Sequence, residues 1–123
     1  MRAEFVETSE FTATIREYLN DEDYSNLQRL LMEQPNRGVV IPGCNGLRKL
    51  RVANESRGKG KRGGCRVIYL YVPEACWFFM LDIYSKDEQE NLSAAERRLL
   101  SQLATELKTQ AKFAAGRRSK EPP

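Results

Sequence analysis

Apolar side chains in the first third of the chain recur at the spacing of two short helices. Residues 3–7 fit a short strand, and a helical pattern starts at Thr8 or Ser9. Asn20 and Asp21 interrupt this pattern and cap a second helix, which ends at Pro35. The apolar positions are Phe11, Ile15, Tyr18 and Leu19 in the first helix and Tyr24, Leu27, Leu30 and Leu31 in the second. The pattern therefore predicts a helical hairpin.

The middle of the chain changes to the pattern of β-strands. A Gly/Pro-rich loop over residues 35–46 precedes a segment in which Lys49 and Arg51 alternate with apolar residues. Two further segments are rich in β-branched and aromatic residues and are joined by a turn at residues 73–76. The three predicted strands are Leu47–Ala53, Cys65–Val72 and Trp77–Tyr84. Together they predict an antiparallel meander.

A capping box predicts the start of a final helix. Ser93 is followed three positions later by Glu96, and leucines then recur on one face. After about Phe113 the composition becomes charged and Pro-rich, which predicts a disordered tail over residues 114–123. The fold class is thus α+β, with one domain over residues 1–113. Two N-terminal helices and a C-terminal helix are expected on one face of a small antiparallel sheet.

Composition limits the chemistry that a chain of 123 residues can carry. The length suits one domain and is too short for a TIM barrel or a protein kinase. There is no histidine, which excludes Ser-His and Cys-His nucleophile arrangements. The three cysteines form no closely spaced pair, so we expect free thiols in a reducing compartment and no metal or other cofactor. The sequence contains no apolar leader or membrane span, and we expect a cytoplasmic protein.

Basic residues are concentrated in the centre of the chain. The net charge is +3 overall, but it is +7 over residues 48–66 and −4 over the rest. Residues 58–63 formally match a dinucleotide-binding loop, but they lie between two predicted strands and do not open a helix. The charges fit better with a loop that binds a phosphate backbone. The alternative interpretation is a solvated loop that binds nothing. Its basic residues are Arg57, Lys59, Lys61 and Arg62.

Three further cations fall within strands. Lys49 and Arg51 are two positions apart and project from one strand face, and Arg66 opens the neighbouring strand. Lys86 follows the last strand and is a candidate to complete the set. Such cations can cleave RNA without histidine or metal, because they stabilise the charge that develops on phosphorus while the 2′-OH attacks. A lysine among them is a candidate general base. The alternative is that each cation is paired with a nearby carboxylate.

The strands also carry aromatic side chains that bear on RNA binding. Tyrosines Tyr69, Tyr71 and Tyr84 are candidates for stacking on bases, although strand tyrosines more often belong to the core. Tyr84, which lies beside Lys86, is the tyrosine that we expect to be more than a core residue.

Six segments recur here in the order and spacing of a known family, and they cover about residues 4–105. They are LNDEDY at 19–24, VIPG at 40–43, GLRKLRVA at 46–53, GKGKRGGCRVIY at 58–69, IYSKDE at 83–88 and NLSAAE at 91–96. In these segments the chain resembles a RelE/HigB-type toxin of a bacterial type II toxin–antitoxin system, most closely the HigB branch with a long basic hairpin. The resemblance implies a compact ribonuclease fold and ribosome-dependent cleavage of mRNA. It also implies a cognate antitoxin of helix-turn-helix type, operator DNA bound only through the complex, and no membrane.

The same resemblance implies roles for particular residues. Lys49 and Arg51 match the strand of alternating catalytic cations. Arg66 matches the arginine that opens the next strand, and Lys86 is the nearest match to a basic residue after the last strand. Candidates for binding RNA or the ribosome are Arg48, Arg57, Lys59, Lys61, Arg62 and Tyr84. The tyrosine found further on in some members has no counterpart here. Two other functions stay open, namely a non-catalytic nucleic-acid-binding partner and a toxin of the same fold that acts on DNA gyrase.

Overall fold

The structure, a computed structural model, describes residues 2–53, 64–85 and 92–120. Within these ranges it has three helices and one five-stranded sheet. In chain order the elements are β1 (Glu4–Glu7), α1 (Ser9–Tyr18), α2 (Asp21–Glu33), β2 (Val39–Val40), β3 (Arg48–Val52), β4 (Cys65–Val72), β5 (Trp77–Ser85) and α3 (Ala94–Lys120). Every predicted helix and strand is present, and β2 is an addition that lies inside the predicted Gly/Pro loop.

Side-chain caps determine where the first two helices begin. Thr8 Oγ1 accepts a hydrogen bond from the N–H of Phe11 at 3.2 Å, at the start of α1. Asn20 Oδ1 accepts one from the N–H of Asp23 at 2.8 Å, at the start of α2. Each cap satisfies a backbone donor that has no partner within its helix. Only residues 19–20 separate the helices, and the ring of Phe11 in α1 contacts that of Tyr24 in α2, so the two helices adjoin as the predicted hairpin.

The sheet is mixed, whereas a wholly antiparallel sheet was expected. Its strand order is β1-β5-β4-β3-β2, and β1 runs parallel to β5, from the pair Glu4 and Trp77 to the pair Glu7 and Met80. The other neighbouring strands are antiparallel. Parallel neighbours need a long crossover connection, which the chain from α1 to β4 supplies. The predicted α+β class is confirmed, and β1 makes the sheet mixed.

The helices cover both faces of the sheet, and the expectation that all three lie on one face is wrong. The helical hairpin packs through Phe11, Ile15 and Leu31 against one face. Helix α3 packs through Leu103, Ala104 and other residues against the opposite face. Successive residues of β4 point to opposite faces of the sheet, and almost every one of them is buried. This strand therefore contributes side chains to both cores. A strand buried on both faces requires cover on both.

Helix α3 begins as predicted and extends further than predicted. The N–H of Ser93 donates to Glu96 Oε1 at 3.0 Å, and the N–H of Glu96 donates to Ser93 Oγ at 3.1 Å, which is the expected capping box. The helix then continues to Lys120, through residues that were expected to form a disordered tail. Ala111 is fully buried and Ala115 packs against the same core, so this contact extends the helix beyond Phe113.

Two further features bear on the sequence predictions. All three cysteines are free, with Cys44 and Cys65 buried and Cys76 exposed. None of the helices in the described ranges combines the length and the apolar composition needed to cross a membrane.

Candidate nucleic-acid interface

The strand register brings the predicted cations together on one face of the sheet. Arg51 of β3 lies directly opposite Arg66 of β4, and Arg66 in turn lies opposite Tyr84 of β5. Directly opposed residues project from the same face, with Cβ atoms about 4.5–5.5 Å apart. Lys49 precedes Arg51 by two positions and so shares this face. It is the face that α3 covers, because the intervening residue Ile68 belongs to the α3 core.

The three cations differ in exposure. Arg51 is exposed, Lys49 is half-buried and Arg66 retains only 4% of its exposed area. Arg66 Nη1 donates to the carbonyl oxygen of Cys65 at 3.4 Å, and the residue has further interactions. Burying a guanidinium restricts its orientation, because each of its donors requires a partner. Arg66 is therefore the positioned member of the set, and Arg51 is the accessible one.

Neither Lys49 nor Arg51 has a carboxylate within 4 Å in the part of the chain that the structure describes. The ion pairs found there join Arg16 to Asp21 and Lys112 to Glu74, and none involves β3. Asp82 is the acid nearest in register to Lys49, with Ile68 of β4 between them. The pairing alternative therefore has no support at Lys49 and Arg51.

Arg48 lies apart from this set. It sits opposite Tyr69 and so faces the helical hairpin rather than α3. Its Nη1 donates to the carbonyl oxygens of Gly38 at 2.7 Å and Asn36 at 3.2 Å. Side chains alternate along a strand, so a residue adjacent to Lys49 necessarily points to the other side. The structure thus places Arg48 on the opposite face of the sheet from Lys49 and Arg51.

The tyrosines are packed in the interior. Tyr69 is fully buried, and its hydroxyl donates to the carbonyl oxygen of Pro35 at 2.7 Å and accepts from the N–H of Gly38 at 2.9 Å. Burial raises the pKa of Tyr69 above its ordinary value. Tyr71 stacks on Phe78 with ring centroids 4.7 Å apart. Tyr84, which we expected to be more than a core residue, is 6% exposed and packs in the α3 core.

Several predicted site residues fall outside the described ranges. These are Arg57, Lys59, Lys61, Arg62 and Lys86. Their roles stay predictions from the sequence. In the ranges that are described, no group of three histidine, cysteine, aspartate or glutamate side chains could hold a metal ion.

A groove beside β3 could not be predicted from the alternation of residues along the strands. Where β3 passes α2, a groove forms between them, and Asp23 and Arg51 both line it. From its place in the first turn of α2, Asp23 is expected only to interact favourably with the helix dipole. Its position beside β3 depends on tertiary packing, which helical spacing alone does not specify.

The fold and this face together define a small α+β protein that carries three cations on one side of a mixed sheet. A match to a protein-family model identifies the family within this class. The model described as RelE toxin of the RelE / RelB toxin-antitoxin system matches residues 43–116, which is more than half of the chain. The chain therefore belongs to the RelE toxin family.

Membership has direct consequences for function. The protein belongs to a family of toxins that generally inhibit translation and are generally endoribonucleases. A toxin of this kind has a cognate antitoxin as its partner. The matched segment contains β3, β4, β5 and α3 as far as residue 116, and so includes the strands that carry Lys49, Arg51 and Arg66. The match does not distinguish the HigB branch, which stays a prediction from the sequence.

Proposed function

We propose that this protein is a ribosome-dependent mRNA endoribonuclease that is neutralised by its cognate antitoxin. The observation that supports this most is the shared face of Lys49, Arg51 and Arg66 on paired strands of a RelE-family fold. An RNA phosphate bound at the exposed Arg51 would lie close to the charge of Lys49 and to that of the buried Arg66. Its natural site of action is the cytoplasm, where ribosomes and mRNA meet.

The proposed reaction is a transesterification within the RNA. The 2′-oxygen attacks the adjacent phosphorus, the bond to the 5′-oxygen breaks, and the products carry a 2′,3′-cyclic phosphate and a 5′-hydroxyl. Lys49 and Lys86 are the candidates for accepting the 2′-OH proton and for donating one to the leaving 5′-oxygen. Arg51 and Arg66 would stabilise the additional negative charge on the phosphate oxygens in the transition state. This scheme uses no metal ion.

Binding to RNA or the ribosome would involve the central basic segment. Arg57, Lys59, Lys61 and Arg62 supply charge for phosphate contacts, and each neutralised phosphate would release counterions. Arg48 and Tyr84 have contacts that favour structural roles, since one holds the turn at residues 36–38 and the other packs beneath α3. We therefore base the proposal on the remaining residues.

The test is cleavage of a defined mRNA on programmed ribosomes by the purified protein. We expect cuts whose upstream fragments end in a 2′,3′-cyclic phosphate, and we expect no cuts without ribosomes. Arg66→Ala combined with Lys86→Ala should lower the cleavage rate by about 100-fold or more. Arg29→Ala, which removes a cation from α2 on the other side of the sheet, is the matched control and should cleave as the wild type does.

Three results would contradict the proposal. Full cleavage and full growth arrest by the double variant would remove the assigned residues from the reaction. Salt-sensitive RNA binding without cleavage would favour a non-catalytic binder. Intact mRNA together with DNA damage in expressing cells would favour action on DNA gyrase.

A further inference from the structure

A second concentration of basic residues occupies the end of α3, outside the set of cations described above. Residues 107–120 contain five basic residues and no acidic residue, whereas residues 94–106 of the same helix contain two of each. Outside residues 107–120 and 48–66, the chain has a net charge of −9. The end of α3 is therefore the second basic segment of a chain that is acidic elsewhere, and it favours an anionic partner.

The helix dipole explains only part of this charge. Cations are favoured near a helix C-terminus, but the effect falls off within the last turn. Lys108 and Lys112 precede the end of α3 by more than two turns. Lys108 donates to Asn45 Oδ1 at 3.1 Å and so has a partner within the fold. Lys112 is 56% exposed and lies 3.9 Å from Glu74, and an exposed pair of this kind leaves its charge available to another anion.

An exposed aromatic ring lies among these cations. Phe113 is 68% exposed, and Arg117 Cζ lies 6.0 Å from the centre of its ring. Helix α3 packs on the sheet through Ala111 and Ala115, so Phe113 projects from the other side of the helix. An aromatic ring flanked by cations is typical of surfaces on which a nucleic-acid base stacks while the cations bind phosphates. We name Lys112, Phe113 and Arg117 the α3 platform.

The α3 platform fits RNA better than it fits a membrane surface. A helix that binds at a membrane interface buries a continuous apolar face among the lipids. In α3 that face packs on the sheet, through Leu103, Ala104 and Ala111. In the described part of the helix, the other large apolar side chain of high exposure is Leu99, which is about 21 Å from Phe113 along the helix. A single exposed ring beside cations suits stacking on a base.

The α3 platform lies far from the candidate catalytic cations. Lys112 lies beside Glu74, in the turn after β4, and Arg66 is at the other end of this strand. The six positions from Arg66 to Val72 span roughly 20 Å. The platform therefore does not contact a phosphate held at Arg51 and Arg66. A contact at this distance can raise the affinity for RNA without taking part in the reaction.

We propose that the α3 platform binds ribosomal RNA, with Phe113 stacked on an unpaired base and with Lys112 and Arg117 on the adjoining phosphates. The inference rests on the proposed function in taking the ribosome as the partner. Ribosomal RNA is favoured over mRNA, because cleavage that depends on the ribosome requires a contact that free mRNA does not supply. A surface far from the reacting phosphate is able to make that contact while the sheet face acts on mRNA.

The experiment measures binding of the purified protein to ribosomes that carry no mRNA, over a range of salt concentrations. Phe113→Ala should raise the Kd at least about fivefold through loss of stacking, and should leave the salt dependence unchanged. Lys112→Ala combined with Arg117→Ala should make the fall of log K with log salt less steep, by about 0.7–0.9 for each lost phosphate contact. Phe113→Trp keeps an aromatic ring and should bind at least as tightly as the wild type. Circular dichroism of each variant checks that α3 is intact.

Three further variants are matched to these. Leu99→Ala removes a side chain that is 67% exposed on the same helix, and Arg29→Ala removes a cation from α2. Both should leave the Kd and the salt dependence as in the wild type. Glu74→Gln removes the acid beside Lys112 and should strengthen binding, because the carboxylate repels the phosphates that Lys112 would hold. Weaker binding by Glu74→Gln would contradict the assignment of Lys112.

Cleavage on programmed ribosomes adds a kinetic measurement. Phe113→Ala should raise KM and leave kcat unchanged, since the α3 platform does not touch the reacting phosphate. A lower kcat at unchanged KM would mean that the platform acts in the reaction itself, and would overturn its role in binding alone.

The outcomes separate this inference from the proposed function. Unchanged affinity of Phe113→Ala and of the double variant, or an equal loss for Leu99→Ala, would overturn the α3 platform and leave the ribonuclease proposal standing. Absence of binding by the wild type to ribosomes without mRNA would also overturn it. An equal loss of affinity for a free single-stranded RNA oligonucleotide would assign the platform to mRNA instead. Binding through the platform without cleavage by the wild type would overturn the ribonuclease proposal and leave the platform standing.

Discussion

Arg51 on β3 lies directly opposite Arg66 on β4, so two guanidinium groups project from paired positions on one face of the sheet. Like charges at directly opposed positions destabilise a sheet. Within the described residues, no carboxylate lies within 4 Å of Arg51 to offset this. An anion bound between two such guanidinium groups would offset their repulsion.

Replacing Arg51 should therefore change stability and activity in opposite directions. Arg51→Gln removes one of the opposed charges, so we expect the free energy of unfolding to rise by a few tenths to about 1 kcal/mol. Ribosomal cleavage should fall about 100-fold, because the variant lacks a charge that stabilises the transition state. Urea unfolding and the cleavage assay measure the two effects. Arg29→Gln is the control, and a variant of Arg51 that loses stability while keeping its cleavage rate would contradict the expectation.

The hydroxyl of Tyr69 should contribute measurably to stability. It joins the carbonyl oxygen of Pro35 to the N–H of Gly38 in a buried setting, and so fixes the turn before β2. Tyr69→Phe leaves both backbone groups without their partner and should cost about 1–3 kcal/mol of unfolding free energy. Tyr71→Phe makes the same chemical change on the same strand, at a tyrosine whose ring stacks on Phe78. Equal losses for the two variants in urea unfolding would show that the bridge adds nothing.

Local patterns in the sequence account for the parts of the fold that were predicted. The capping box of Ser93 and Glu96 depends on residues three positions apart, and the structure has both of its hydrogen bonds. The shared face of Lys49 and Arg51 follows from strand alternation alone. The pairing of Arg51 with Arg66 depends on register across a segment of more than ten residues. Arg66 was expected only on the strand next to that of Arg51, and the ladder shows that the two residues lie directly opposite each other.

The structure differs from the sequence predictions where contacts between segments distant in the chain determine the conformation. Tyr84 has a strand pattern that fits either an exposed or a buried face, and the cover supplied by α3 decides that it is buried. The two-residue strand Val39–Val40 exists only through its pairing with β3. Neither the side of the sheet on which a helix packs nor a two-residue ladder leaves a periodic signal in the sequence.

Helix α3 continues past Phe113, where the sequence predicted a disordered tail, and a substitution near its end tests this extension. Gly116 lies inside the helix, and a Cβ atom added there meets nothing within 4 Å. Gly116→Ala should therefore stabilise the helix by about 0.5–1 kcal/mol, because alanine loses less backbone entropy than glycine. Circular dichroism and urea unfolding measure the gain. No change in either would mean that residues 114–120 contribute no helix to the folded protein in solution.

Alkaline pH should destabilise the protein through its buried tyrosines. The Tyr24 hydroxyl donates to Glu7 Oε2 at 2.8 Å, and burial together with this carboxylate raises the pKa of Tyr24 well above its ordinary value of 10.0. Burial also raises the pKa values of Tyr69 and Tyr71. Above pH about 10 the unfolded chain has lost these protons while the folded protein still holds them, so stability falls as pH rises. Below that pH the contribution is fully present.

Tyr24→Phe distinguishes this cause from general alkaline unfolding. The variant lacks the hydroxyl whose pKa is most strongly raised, so its unfolding free energy should fall less steeply between about pH 10 and 12 than that of the wild type. The comparison uses the slope, because loss of the hydrogen bond to Glu7 lowers the stability of the variant at every pH. Urea unfolding at intervals of half a pH unit gives both slopes. Parallel slopes would mean that Tyr24 does not contribute to the pH dependence.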